Sequence, residues 1–277
     1  MSVIDCRICG VEATFFTKAT IMDKYDVSYF ICKKCGLLQT ELPYWLSEAY
    51  RESINRSDIG ILQRNIEFSK KTAVLLYTLF DTSYKCLDYA GGYGIFCRLM
   101  RDLGFDFFWY DPFTENIFAK GFEYDSKNHY DFLTSFESFE HFVYPMMEFK
   151  KMIDMSENIL VSTTLYPSDI PAPENWWYYG LDHGQHVAFY SEKTLRYMAD
   201  YFGLHFFTDG RYLHLFVKEI PRLRKLNPFL KVKYAIMGHQ KINRILKEAE
   251  KIFPYVHRKL PKSKITTDVI NQCSKID

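Results

Sequence analysis

The sequence predicts an α/β protein in three parts: a small four-cysteine module over residues 1–44, a mostly parallel sheet with flanking helices over 45–219, and a basic helical tail over 220–277. Three observations carry the prediction. Two CxxC pairs open the chain, Cys6 with Cys9 and Cys32 with Cys35. Between Lys85 and Asp111 an apolar run, a glycine cluster, an amphipathic stretch and a second apolar run follow one another, the pattern of a strand–turn–helix–strand unit. After Pro221 lysine and arginine dominate, opposed only by Glu248, Glu250, Asp268 and Asp277.

Each CxxC is followed by a glycine (Gly10, Gly36), which lets the turn fold back so that backbone N–H groups face the sulfurs. Four thiolates so placed suit a closed tetrahedral zinc site with a structural role. A redox dithiol is the weaker reading, because two pairs are present. The short apolar runs between the pairs make a fold small enough to need the metal. Basic residues are few here (Arg7, Lys18, Lys33 and Lys34 among them), and the net charge of the 277-residue chain is +1, so nucleic acid is not a favoured partner. No apolar stretch approaches the roughly 20 residues of a membrane span. The N-terminus also lacks the charged-then-apolar pattern of a secretory leader, and the chain reads as cytoplasmic.

In chain order, Leu37–Tyr50 is a connector and Ser57–Tyr77 a long helix, with Ile59, Leu62, Ile66 and the Ala73–Leu76 run at helical spacing. Arg64 and Asn65 lie on its polar side, facing solvent or a ligand carboxylate. Cys86–Tyr89 is a strand, Ile95–Leu103 a helix and Phe107–Tyr110 a strand. Gly121–Tyr124, Asp131–Ser135 and Asn158–Thr163 continue as strands, with a helix over Met147–Met155. Ser191 caps a helix that Gly203 ends. His205–Asp209 and Tyr212–Lys218 close the sheet as an antiparallel pair. Phe229–Lys251 is a basic amphipathic helix that suits an anionic membrane surface, an acidic partner or its own domain.

Function is concentrated in two stretches. In the first, Gly91, Gly92 and Gly94 allow a sharp turn and close ligand approach, and the next helix start offers unpaired N–H groups. Asp111, at the end of the following strand, is placed to accept from two ribose hydroxyls. Such a unit binds an adenosine-containing cofactor, with a ligand-free structural turn as the alternative. The glycine spacing is not the dinucleotide G-x-G-x-x-G. The second stretch, Leu165–Ser191, is a long loop with three prolines and a run of four aromatics, starting past the carboxyl end of a buried strand. His183, Gln185 and His186 converge on one turn there, and an imidazole near neutral pKa is a natural proton acceptor. We read His186 as base or substrate anchor with His183 beside it, Gln185 as a substrate contact, and Trp177, Tyr178 and Tyr179 as rings that stack on a substrate. A high aromatic content (21 Tyr, 24 Phe) fits a cleft lined by flat surfaces.

The LDYAGGYG block resembles motif I of the class I S-adenosylmethionine-dependent methyltransferases. The resemblance implies their Rossmann-like sheet with a closing hairpin. It makes Asp88 the motif acid, places Gly92 and Gly94 at the second and third glycines, puts Ala90 where the first is usual, and gives Asp111 the ribose. Glu140, His141 and Pro145 resemble the segment after the fourth strand, which implies Phe136 and Glu137 as cofactor contacts. With the CxxCG pairs and the GQHxxFYS loop, the match from Cys6 to Lys218 is similar to zinc-containing sugar methyltransferases, including deoxysugar C-methyltransferases and enzymes of bacterial surface-glycan synthesis. The implied activity is O- or C-methylation of a sugar or glycan precursor. An RNA, tRNA or other small-molecule methyltransferase that grips its substrate with the zinc module and basic tail is the alternative.

Overall fold

The computed structural model describes residues 3–51, 59–226, 234, 237–265 and 268. Two sheets organise it. The first is five-stranded and antiparallel, formed by β1 (Val3–Asp5), β2 (Glu12–Ile21), β3 (Tyr25–Ile31), β4 (Leu38–Thr40) and, from far along the chain, β9 (Ala188–Phe189). Met22 and Asp23 both take positive φ at the β2–β3 turn, the twist that a tight hairpin requires. β9 pairs with β4 through Leu38–Phe189 and Gln39–Ala188. The cysteine module is therefore completed by the histidine loop.

The second sheet has the order β10-β11-β8-β7-β5-β6, where β5 is Lys85–Tyr89, β6 Asp106–Tyr110, β7 Phe132–Phe136, β8 Asn158–Ser162, β10 His205–Thr208 and β11 Leu213–Val217. β6, β5, β7 and β8 are parallel, while β11 is antiparallel to both β8 and β10, which makes the expected closing hairpin. The strand expected at Gly121–Tyr124 is reduced to a single parallel bridge between Trp109 and Glu123. Gly121 turns the chain with φ 87° on one side. On the other, the Asp125 carboxylate accepts from Lys127 N–H and holds a turn, so no ladder can extend.

The helices are α1 (Leu46–Ala49), α2 (Ile61–Thr78), α3 (Ile95–Asp102), α4 (Pro145–Met155), α5 (Glu192–Phe202) and α6 (Gln240–His257). α2 begins at Ile61; of the residues expected to precede it, 57–58 fall outside the described residues and Ile59 and Gly60 form a turn. α5 starts with a capping box, Ser191 Oγ accepting from Thr194 N–H and Thr194 Oγ1 from Ser191 N–H, and ends on Gly203 at φ 66°. Strand alternation sorts the core. Cys86, Phe132, Leu160 and Leu215 face α2, α3 and α6. Leu87, Leu133, Ile159, Val161 and Phe216 face α4, α5 and the cysteine module.

Of the helix expected at Phe229–Lys251, residues up to 233 and 235–236 lie outside the described residues, and the described helix runs on past Lys251 as α6. Its apolar face (Ile242, Ile245, Leu246, Ala249, Ile252, Val256) is buried with that of α2. Beyond it, Asp268 forms a bidentate pair with Arg101 of α3, at 2.7 and 2.8 Å. Among the described residues no helix is long and apolar enough to cross a membrane.

Candidate active site

The turn after β5 is built for close approach. Ala90, Gly92 and Gly94 take φ of 56°, 52° and 83°. A Cβ on Gly91 would lie 2.7 Å from an Asp88 carboxylate oxygen, and one on Gly94 2.8 Å from Asn116 Oδ1, so these two glycines accommodate the protein itself. A Cβ on Gly92 would meet nothing within 4 Å, so its open side is left for a ligand. Ala90 occupies a left-handed conformation that favours glycine, and its methyl is the smallest side chain that can do so.

Asp111 is fixed by three backbone donors: Gly92 N–H to Oδ2 at 2.9 Å, and Phe113 and Thr114 N–H to Oδ1 at 2.8 and 3.0 Å. The carboxylate is thereby held at the rim of the turn, with lone pairs remaining for two ribose hydroxyls. Asp88 is only 2% exposed and accepts from the Thr134 hydroxyl at 2.8 Å. Burial pushes its pKa up to about 7 against the Thr134 bond, and Asp111 adds to the rise. Asp88 lies beneath the turn and shapes it. Phe136 stacks on Phe68 at 4.5 Å. Glu137 takes φ 49° and accepts from Ser162 Oγ at 2.6 Å, which fixes the end of β7 to the end of β8.

Cys6, Cys9, Cys32 and Cys35 bring their sulfurs together within 4.8 Å of one another. Sulfur pairs stand 3.4 Å apart (Cys6–Cys35, Cys9–Cys32), and the four cysteines are free thiols. Each knuckle closes with a glycine N–H donating to a cysteine carbonyl, Gly10 to Cys6 at 2.9 Å and Gly36 to Cys32 at 2.8 Å. Four sulfurs at about 2.3 Å from a common centre suit tetrahedral zinc, and this set fits it.

The third cluster combines two segments. His186 Nδ1 donates to the Tyr178 carbonyl at 2.6 Å, which puts its proton on that nitrogen. His183 Nδ1 accepts from Gln185 N–H at 3.1 Å, so its proton lies on Nε2. The His183 and His141 rings both stand 4.9 Å from that of His186. His141 is linked through Nδ1 to the Tyr50 hydroxyl at 2.8 Å. Burial, with His186 and His183 nearby, holds its pKa well below the usual imidazole value. Glu140 is 0% exposed and neither carboxylate oxygen has a hydrogen-bond partner. Burial raises its pKa to about 7, while Arg64 on α2 favours its charged form.

The other residues of the loop are placed differently from the sequence reading. Tyr178 and Tyr179 are fully buried and present no free face for stacking. Tyr178 shares its hydroxyl with Thr163 and Thr164 N–H, and Tyr179 packs on Tyr29 and donates to the Pro171 carbonyl. Gln185 Nε2 donates to the Ala49 carbonyl at 2.8 Å and staples the loop to α1. Trp177 alone of the three rings is open, at 79% exposure. The stretch expected to be all loop also holds two short 3₁₀ turns, Pro173–Asn175 and Trp177–Tyr179, and β9. Glu140 and His141 stood out in the sequence as a motif, yet not as members of the histidine cluster.

Residues 61–206 match the family described as a methyltransferase domain. Among curated proteins none matches the chain. Solved structures are similar at low identity. An O-methyltransferase family protein from Burkholderia thailandensis is 12% identical over 65% of this chain and 64% of its own, with a TM-score of 0.46. Human N-acetylserotonin methyltransferase in complex with SAM is 14% identical over 63% and 65%, with a TM-score of 0.40. An O-methyltransferase family 2 protein from Planctomyces limnophilus, in complex with apigenin, is 15% identical over 63% and 65%, with a TM-score of 0.41. The chain thus spans less than two thirds of the length of these structures. With the family match covering more than half of the sequence, the chain belongs to the methyltransferase-domain family.

Proposed function

We propose that the enzyme methylates a small acceptor, a sugar or glycan precursor, on oxygen or carbon. The observation that carries this reading is the histidine cluster, in which His186, held through Nδ1 by the Tyr178 carbonyl, stands with its ring 4.9 Å from those of His141 and His183. The resemblance of the GQHxxFYS loop and the four-cysteine module to sugar methyltransferases supports the substrate class.

Asp111 and the Gly92 backbone would hold the ribose and the adjoining chain of S-adenosylmethionine. When bound, that cofactor supplies a methyl group on a positively charged sulfur, already activated for in-line displacement. His186 Nε2 takes the proton from the acceptor's O–H or acidic C–H. The acceptor's freed electron pair would then be available to the methyl group that the cofactor, held by Asp111 and the Gly92 backbone, would supply. The protein's remaining task is alignment, worth on the order of 7–11 kcal/mol in well-oriented cases. The open Trp177 ring is the surface on which a sugar face would stack.

Calorimetric titration with S-adenosylmethionine, wild type beside Asp111→Ala, tests the cofactor site; binding to wild type and loss in the variant are expected. Turnover is then measured on nucleotide-activated sugars, keto-sugars among them, with tRNA and phenolic acceptors alongside. His186→Ala is expected to bind cofactor normally and to lose roughly 100-fold or more in turnover. Turnover on tRNA or phenols with none on sugars overturns the substrate class.

A further inference from the structure

We propose that Glu140, His141 and His186 form a second metal site, one that takes a divalent first-row transition ion such as zinc, manganese or iron(II) beside the acceptor. One ligand atom from each of the three lies within 4.8 Å of the others. Glu140 and His141 end the 3₁₀ turn Phe139–His141 past β7, and His186 comes from the loop past β8. The two segments are tied by Val187 N–H donating to the Glu140 carbonyl at 2.8 Å.

Glu140 makes the strongest case. Its carboxyl is wholly buried and both oxygens lack a hydrogen-bond partner, although the Tyr178 and Thr163 hydroxyls stand on its side without reaching bonding geometry. A buried polar group left in this state costs several kcal/mol. A bound cation removes that cost and explains why an acid is kept there. The imidazoles are prepared in the manner of metal ligands, whose second nitrogen is usually engaged by a carbonyl or another polar group. His186 Nδ1 binds the Tyr178 carbonyl and His141 Nδ1 meets the Tyr50 hydroxyl. The Gln185 backbone is the other polar neighbour of His141 and is the contact an incoming ion would replace.

Two nitrogens and one carboxylate suit zinc, manganese or iron(II) and disfavour magnesium and calcium, which prefer all-oxygen shells. Three protein ligands leave positions open, as in catalytic sites and unlike the closed four-cysteine site. This deepens the reading above and rests on it for its role. An acceptor hydroxyl taken as a further ligand gives up its proton to solvent more readily, as bound water does. His186 then acts through the ion, as one of its three ligands.

The test uses the full-length protein with zinc already loaded at the four cysteines, and cobalt(II) as the probe. Metal content and visible absorption are followed without any substrate. We expect a second ion per chain, bound without the sulfur-to-cobalt charge-transfer bands of a thiolate site, and paramagnetic shifts of the His141 and His186 ring protons. Glu140→Gln should weaken cobalt binding roughly 100-fold while retaining its zinc and its S-adenosylmethionine affinity. His141→Ala gives an independent second loss if Glu140→Gln does not fold. One ion per chain in wild type, or cobalt binding unchanged in the variants, overturns the proposal. Those results leave His186 as direct base and the cofactor reading intact, because cofactor binding is measured separately.

Discussion

Arg7→Met removes a guanidinium from inside the first cysteine knuckle while keeping much of the apolar stem. Nη2 donates to the Val187 carbonyl at 2.5 Å and to the Thr40 carbonyl at 3.2 Å. Nη1 reaches the Val143 carbonyl at 3.4 Å, and Nε the Gln39 side chain at 3.4 Å. Val187 follows His186, and Val143 lies two residues past His141, so one side chain holds both histidine segments. Burial pulls the Arg7 pKa down to about 10 while Tyr190, Cys6 and Tyr144 pull it back, and it remains a cation at neutral pH. Hydrogen bonds from a charged donor are worth roughly 1.5–3 kcal/mol each. Val187 O keeps a second donor, Thr40 N–H at 3.1 Å, which limits the loss. The net cost comes to roughly 2–4 kcal/mol, a fall in Tm of roughly 5–10 °C for a protein of this size. Scanning calorimetry of the zinc-loaded variant reads this, with metal analysis and cofactor titration as controls. Zinc content and cofactor affinity should be unchanged, because neither set of ligands is touched. A fall of less than about 1 °C, or loss of zinc with the side chain, would refute the assignment of Arg7 to the loop.

Two further predictions concern charge. Asp88 has a folded pKa of about 7 against an ordinary 3.8, so the native state holds its proton longer than the unfolded chain. Its contribution is present below the ordinary value and lost as pH rises through about 7. Asp88→Asn should therefore gain stability relative to wild type between pH 5 and pH 8, on the order of 2 kcal/mol; parallel melting curves across that range would contradict it. Asp268 behaves in the opposite sense: burial opposes ionisation, but the Arg101 and Arg98 contacts outweigh it and lower the pKa. Its stabilisation is present above the ordinary carboxylate value and lost as pH falls through the lowered one. Asp268→Ala strands Arg101, which is 4% exposed, and should cost about 3–5 kcal/mol, read as a lower urea midpoint at pH 7 and a smaller difference in acid.

The elements whose signals are local were legible. The glycine turn, Asp111 at the next strand end, the CxxCG knuckles and the Ser191 cap each depend on residues within one or two elements. The rest depends on contacts between distant segments. The aromatic run after Asn175 shows nothing in sequence of the partners that bury Tyr178 and Tyr179, which are Thr163 and Tyr29. The two-residue β9 is too short to announce itself and exists because Leu38 and Gln39 offer an edge. Glu140 and His141 were visible as a motif, but only the return of the chain at Val187 brings them to His186.

The same long-range contacts divide the enzyme's work between its two sheets. The parallel sheet carries the turn in which Gly92 N–H meets Asp111. The loop that carries His186 is tied instead to the cysteine module and its connector. Met22 N–H donates to the Leu181 carbonyl at 2.7 Å, Trp45 Nε1 to the Gly184 carbonyl at 2.7 Å, and Gln185 to Ala49. Thr40 and Arg7 both hold Val187. Gly184 approaches so closely that a Cβ would stand 2.6 Å from Ile21, which makes glycine at φ 66° a requirement of that contact. A metal held by the four cysteines would thus act on the acceptor side of the proposed reaction: by fixing residues 6–35 it would fix the surface against which the histidine loop is moulded. Changes within the module should alter acceptor choice and turnover while leaving cofactor affinity alone, whereas changes in the glycine turn should do the reverse.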